Sequence, residues 1–216
     1  MTPDRGAAVP GLRERKKERT RQALSDAAVA LFLERGFDSV SVAEVAAAAE
    51  VSKPTLFRYF PAKEDLVLHR FADHEDESAR VVAEGRRAGT PPLDALYAHL
   101  LDGLARRDPV TGLCDHPSVL SYLRLLYGTP ALVGRLHAYR VRSEEALADA
   151  LAAGPEGAGD PLLARLAAGQ VVTVLRVLAE ENTGRIAGGE TADEVAAGAV
   201  EAAGLAFRAL REGLPY

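Results

Sequence analysis

Apolar residues recur at three- and four-residue intervals along almost the whole chain, the period of an amphipathic helix rather than of a strand. Between Arg13 and Arg35, the residues Leu24, Ala27, Ala28, Leu31 and Phe32 form one stripe, and Gly36 stands where a glycine ends a helix. A second helix opens at Ser41. Glu44 follows at capping-box spacing, and Val42, Val45, Ala46 and Ala49 supply an inward face. Glu50, Val51 and Ser52 read as a turn. Ser52 can cap a third helix that tolerates Pro54 in its first turn, with Leu56 and Phe60 facing inward. A fourth helix is expected from about Pro61 to about Arg86.

The second half reads the same way. Helices are expected over Leu93–Arg106, Val119–Tyr127, Pro130–Ala153, Leu162–Glu181 and Thr191–Glu212. Gly89–Pro92, Asp108–Pro117, Gly154–Pro161 and Gly184–Glu190 break them. About nine helices and no convincing strand predict an all-α fold. A loose arm over 1–12 precedes a three-helix helix-turn-helix domain over 13–67, and a larger helical bundle occupies 68–216.

Composition agrees with helix: 48% hydrophobic residues, only 6% aromatic and no Trp. Net charge is −5, yet its distribution is uneven. The first 70 residues carry 12 Lys and Arg against 10 Asp and Glu, and the remainder 14 against 21, with all four lysines in the first 63 residues. A basic end on an acidic body suits one face turned to phosphates. Cys114 is the only cysteine, which excludes an intrachain disulfide and suits a reducing compartment. The first residues carry no apolar signal region, and no stretch reads as the ~18 apolar residues of a membrane span, so a cytoplasmic protein without a membrane partner is expected.

Two short helices joined by a tight turn, behind a basic segment from Arg13 to Arg21, are how a chain docks on double-stranded DNA. Ala46 to Ala49 are small and let the third helix come close. Lys53, Pro54, Phe57 and Arg58 are then presented outward. Lys53 can donate to guanine, while Pro54 and Phe57 can lie against thymine methyls. Ser41, Ser52, Thr55, Tyr59 and Lys63 have donors suited to phosphate, and Arg19 and Arg21 are the candidates for the same role from the basic segment.

The stretch from about Arg21 to Phe71 resembles the DNA-binding domain of the TetR family of bacterial repressors. The resemblance rests on Ala28, Leu31-Phe32, Gly36-Phe37, Ser41 to Ala46, Val51 to Phe60 and Lys63 to Leu66. It implies an all-helical homodimer paired through its last two helices, a pseudo-palindromic operator, and release by a small molecule bound in the C-terminal domain. It also implies phosphate contacts from Tyr59 and Lys63 and base contacts from Lys53, Pro54 and Phe57. The chain departs from the family at Glu50, where glycine is usual, and at Phe57, which is often Tyr. A non-glycine residue in the left-handed region costs about 1–2 kcal/mol. Either the turn carries that strain, or it closes differently, for instance with the second helix running one residue further.

The ligand site is less legible. Tyr97, Tyr122, Tyr127 and His137 lie on helices that surround the effector pocket in this family. Gln170, Thr173 and Arg176 form a polar stripe on a helix that is otherwise apolar nearly all round. That stripe can line a cavity, sit at a dimer seam or face water. No cofactor or metal is expected: Cys114-Asp115-His116 and the histidines near Asp73 lack metal-site spacing. No catalytic motif is present, which favours a regulator over an enzyme. The competing reading is an all-helical small-molecule binder or enzyme without specific DNA binding.

Overall fold

The computed structural model describes residues 12–72, 74–154 and 160–214; the expected N-terminal arm, apart from Leu12, lies outside them. The chain separates into two compact units, Met1–Arg70 and Phe71–Tyr216. Among the described residues there are ten α-helices, one short 3-10 turn and no strand.

The first unit contains α1 (Leu12–Arg35), α2 (Val42–Ala48), α3 (Lys53–Tyr59) and most of α4 (Asp65–Ala72). Leu24, Ala28 and Phe32 of α1 meet Val45 and Ala46 of α2, Leu56 and Phe60 of α3, and Leu66 of α4 in one buried core. Gly36 closes α1 at φ +85°, its amide bonded to the Phe32 carbonyl at 2.9 Å. The Ser41–Glu44 capping box forms: the Glu44 amide donates to Ser41 Oγ at 3.3 Å, and the Ser41 amide donates to Glu44 Oε2 at 2.8 Å. That backbone hydrogen bond is the main cause that lowers the exposed Glu44 carboxyl to about 2. The Ser25 hydroxyl, buried in the core, donates to the Leu66 carbonyl at 2.8 Å and ties α1 to α4.

The α2–α3 turn keeps its usual shape despite Glu50. Its backbone lies at φ +55°, and α2 does not run on. The Val51 amide reaches back to the Ala46 carbonyl at 2.9 Å and the Glu50 amide to Ala47 at 3.1 Å. This is the paired helix-end pattern that normally places glycine where Glu50 stands. The strain is therefore carried rather than avoided.

The second unit contains α5 (Glu77–Arg87), α6 (Pro92–Ala105), α7 (Pro117–Gly128), α8 (Pro130–Ala152), α9 (Pro161–Ala187) and α10 (Ala192–Gly213). Four of these helices, α6 to α9, carry proline at their first turn, where its missing donor and fixed φ fit. Val82, Leu93, Leu96, Leu147, Leu151, Val171, Val195 and Phe207 form its core. The guanidinium of Arg86 on α5 donates to the carbonyls of Ala150 and Leu151, capping the end of α8. The buried Asn182 donates to the Thr111 carbonyl at 2.9 Å and fixes the 3-10 turn Pro109–Thr111 against α9. Gly112 follows at φ +73°, and a Cβ there would collide with the Ala179 carbonyl.

Three expectations need correction. The single helix foreseen over Pro61–Arg86 is two, because α4 starts only at Asp65 and the chain turns again before α5, where the His74 amide bonds Phe71 at 2.9 Å. The acidic run ahead of Glu77 suits the positive end of a new helix better than a helix interior. The break foreseen from Gly184 comes later: α9 runs to Ala187, and Gly189 at φ +107° makes the turn. Finally, α9 is long and apolar enough to cross a membrane by length and composition, contrary to the sequence reading; as part of a helical unit it packs its small-residue face against neighbours.

Replacing Glu50 with glycine should relieve the left-handed strain. Part of the gain is offset by the greater freedom of glycine in the unfolded chain, leaving about 0.5–1 kcal/mol of added stability. A higher denaturant midpoint for Glu50→Gly, with no gain for Glu50→Ala, is the expected result.

Candidate nucleic-acid interface and ligand cavity

Helix α3 presents its expected face. Leu56 is fully buried and Phe60 nearly so, while Ser52, Lys53, Pro54, Phe57 and Arg58 are exposed and Thr55 and Tyr59 half-buried. Ser52 caps the helix, accepting from the Thr55 amide at 3.2 Å, and the two hydroxyls lie 2.8 Å apart. Two cations lie over neighbouring rings: Lys53 Nζ is 5.9 Å from the Phe57 centroid and the Arg58 guanidinium 5.5 Å from Tyr59. Such pairing holds a flexible cation near an aromatic face at little cost. Phe57, 42% exposed, is a large apolar side chain left outside the core. Ser41 is exposed at the start of α2, and its oxygen already accepts from Glu44, so the hydroxyl proton remains for another acceptor.

Two expected phosphate contacts sit differently. The Lys63 ammonium donates to the Phe37 carbonyl, lies 4.2 Å from the Phe37 centroid and 5.3 Å from that of Phe32. One of its three protons is thus committed inside the unit, clamping the loop after α1. Arg21 is half-buried, its guanidinium 5.7 Å over the Phe60 ring and its Nε enclosed without a partner. Arg19, the other candidate of the basic segment, and Lys16 beside it stand in the open. Both are exposed and line a shallow groove with Ala23, Ala49 and Val51, beside the α2–α3 turn.

The second unit holds a cavity of about 200 Å³ among α5, α6, α8 and α9. Phe71, Leu96, Leu100, Leu136 and Leu175 form its apolar wall. Of the residues put forward for a ligand, Tyr127 and Arg176 line it, and Tyr122 backs it by stacking on Phe71 at 6.1 Å. The others do not. Tyr97 packs on Phe207 at 5.2 Å and under Arg211, and His137 is exposed. Gln170 and Thr173 face a separate open groove with Leu166, Ala206 and Ala209. The stripe divides because a three-residue step falls short of a full turn, so Gln170 and Arg176 look in different directions.

The polar centre of the cavity was not foreseen. Glu77 bridges two histidines, with His74 Nδ1 at 2.8 Å and His99 Nε2 at 3.2 Å. The hydrogen bonds from His74 first and His99 second hold Glu77 well below the usual carboxylate range. The same contact raises His99. Tyr139 is 92% buried by complement of its 8% exposure, and burial, followed by the nearby Glu75 and Glu77 carboxylates, raises its phenol. Ser143 stands beside the phenol and offsets part of that rise, while its own hydroxyl donates to the Glu75 carbonyl at 2.5 Å. Tyr127 is raised by burial, beside Arg140. These groups come from four helices and the turn before α5, so no local spacing announced them.

The histidine bridge gives unit two a pH signature. His99, raised above 6.5, contributes stability that is complete below that value and is lost as pH rises through its folded pKa. Glu77, lowered below 4.5, contributes stability that is complete above 4.5 and is lost as pH falls through its folded pKa. The melting temperature gap between the wild type and Glu77→Gln should therefore be widest between pH 4.5 and 6.5 and narrow at higher pH.

Comparison with known proteins places this geometry. The sequence pattern described as "Bacterial regulatory proteins, tetR family" matches residues 24–69, from the core of α1 to α4. The transcriptional regulator TcmR of Streptomyces glaucescens is 37% identical over 137 residues, 63% of this chain and 59% of that protein. The repressor LfrR of Mycolicibacterium smegmatis is 27% identical over 113 residues, 52% of this chain and 58% of its own. The match thus spans less than two thirds of either relative. Among solved structures, NalD of Pseudomonas aeruginosa superposes with a TM-score of 0.56 at 20% identity, covering 88% of this chain and 97% of that one, which is a likeness of fold. Capped α2, the left-handed turn and the outward face of α3 all lie inside the matched stretch, and residues 24–69 carry the pattern of the tetR family of bacterial regulatory proteins.

Proposed function

We propose that this chain is a ligand-responsive transcriptional regulator that binds a pseudo-palindromic operator as a homodimer, represses, and is released by a small molecule. The observation that carries the reading is the exposed face of α3, where Lys53, Pro54 and Phe57 stand clear of a core closed by Leu56 and Phe60. Residues 13–67 carry DNA binding, and residues 68–216 carry ligand binding and dimerisation. Lys53, Pro54 and Phe57 read bases. Ser41, Ser52, Thr55 and Tyr59 hold phosphates, with Arg21 and Lys63 contributing what remains of their donor capacity. The protein works as a binder rather than an enzyme, in the cytoplasm. NalD is described as a secondary repressor of a multidrug efflux pump, a precedent in this fold for repression.

The dimer reading is supported by apolar surface left on the last two helices. Leu162, Leu166 and Val177 of α9 are 61%, 54% and 50% exposed, and Val200 and Leu205 of α10 are 44% and 66% exposed. Isolated exposed leucines are ordinary, but three leucines and two valines on two packed helices leave apolar surface that a second copy would cover. A dimer would set two α3 helices ~34–36 Å apart, in successive major grooves. A ligand that binds better to a dimer with another spacing moves the population off DNA.

Selection from random duplexes tests the reading directly: a pseudo-palindrome should emerge. Affinity for it should fall by roughly three orders of magnitude between about 50 and 200 mM salt if six phosphates are held. A flat salt response overturns the proposal. Tyr59→Ala should weaken all duplexes alike, and Lys53→Ala should cost about 1–3 kcal/mol and also relax base preference. Paired Leu166→Arg and Leu205→Arg substitutions should give monomers in sedimentation and lose operator binding, since each half-site alone supplies only part of the affinity.

A further inference from the structure

Two exposed side chains of α3 hold each other. Phe57 is 42% exposed, and the Lys53 ammonium, one helical turn away, lies 5.9 Å from its ring centroid. Among the described residues Lys53 has no carboxylate or carbonyl partner, so the ring steadies its charge while all three N–H donors stay available. Lys63, by contrast, rests on Phe37 but spends a donor on the Phe37 carbonyl. The other exposed cation of the helix, Arg58, leans on Tyr59 and leaves the Lys53–Phe57 pair to itself.

The chemistry of each side chain narrows what it can meet. Phe57 has no polar atom, and among base edges in the major groove only thymine offers an apolar group, its C5-methyl. An ammonium carries donors alone, and guanine presents two acceptors there, O6 and N7, with no donor beside them. The distance between the two adds a register. Successive base pairs rise about 3.4 Å, so 5.9 Å is more than one step and less than two. The ring and the charge therefore fall on neighbouring base pairs rather than on one.

We propose that Lys53 and Phe57 act as one coupled reader of a two-base-pair step in each half-site: a thymine whose C5-methyl packs on Phe57, next to a guanine that accepts from Lys53. This rests on the reading of α3 as the helix that enters the major groove. Contact with the methyl dries the ring on which the ammonium rests, and a cation–ring contact strengthens as water leaves it. The thymine thus sharpens the guanine contact, and the two bases are not read independently.

Modified bases in the duplex selected by the full chain test this. An invariant T·A pair beside an invariant G·C pair should stand in each half-site. Uracil in place of that thymine removes only the methyl and should weaken binding about fourfold, the worth of one buried methyl group. 7-Deazaguanine in place of that guanine removes N7 and should weaken binding roughly tenfold. The two replacements together should cost less than the product of their separate losses, by at least about twofold. Phe57→Ala should erase the uracil penalty, and Lys53→Ala the deazaguanine penalty. Half-sites without the step, uracil equal to thymine, losses that simply multiply, or a penalty that survives the matching substitution each overturns the proposal. The duplex series uses the wild type alone, so it stands even if a variant folds poorly. A pseudo-palindrome that is bound with a steep salt response but lacks the step overturns this inference and leaves the regulator intact. Failure to select any operator overturns both.

Discussion

Helix α9 has more apolar surface than its own chain covers, and the second unit is arranged around that excess. One face is made of small residues, Ala164, Ala167, Ala168 and Val171, all buried. Small side chains let neighbouring helices approach closely, and that close packing builds the core. A second face, with Val172, Leu175, Arg176 and Ala179, closes one side of the cavity. A third, with Leu162, Leu166 and Val177, stays exposed. Core, cavity wall and candidate dimer surface are three sides of one helix. A substitution on any of them acts first on its own side, yet the helix is a rigid body that all three share.

In the first unit the comparable constraint is the left-handed turn at Glu50. Two backbone hydrogen bonds, from Val51 to Ala46 and from Glu50 to Ala47, fix how α3 leaves α2. Leu56 and Phe60 then lock α3 down, and the residues between them have nowhere to point but out. The exposed face of α3 is therefore a by-product of core packing, and its strength as a site depends on a turn that works under strain. Lys63 and Arg21 show the opposite trade. Their charges could serve a phosphate, but aromatic rings and a carbonyl inside the unit hold part of each side chain.

Much of the fold was legible because its signals are local. A capping box, a glycine after Phe32's turn, prolines at helix starts and apolar stripes are decided within one or two turns of chain, and most helices appeared where those signals stood. The inward pair Leu56 and Phe60 and the outward Lys53, Pro54 and Phe57 were legible for the same reason. Errors came where signals conflicted. The acidic run before Glu77 reads equally as an exposed helix face or as the start of a helix, and Gly184 reads as a stop although the packing of Asn182 and Ile186 carries α9 past it.

The cavity was scarcely legible. Tyr127 and Arg176 were found by residue type, but the Glu77 bridge unites residues from different helices, and Tyr139 was indistinguishable from any buried aromatic. By itself the sequence determined an all-helical chain, the position and capping of the helix-turn-helix and the residues on its two faces, because helix period and caps are short-range properties. Only tertiary structure decided that Glu50 takes the left-handed turn, that Lys63 is clamped on Phe37, that Gln170 and Arg176 part company, and that two histidines share one carboxylate. Those outcomes depend on which distant surfaces meet, and local periodicity carries no record of that.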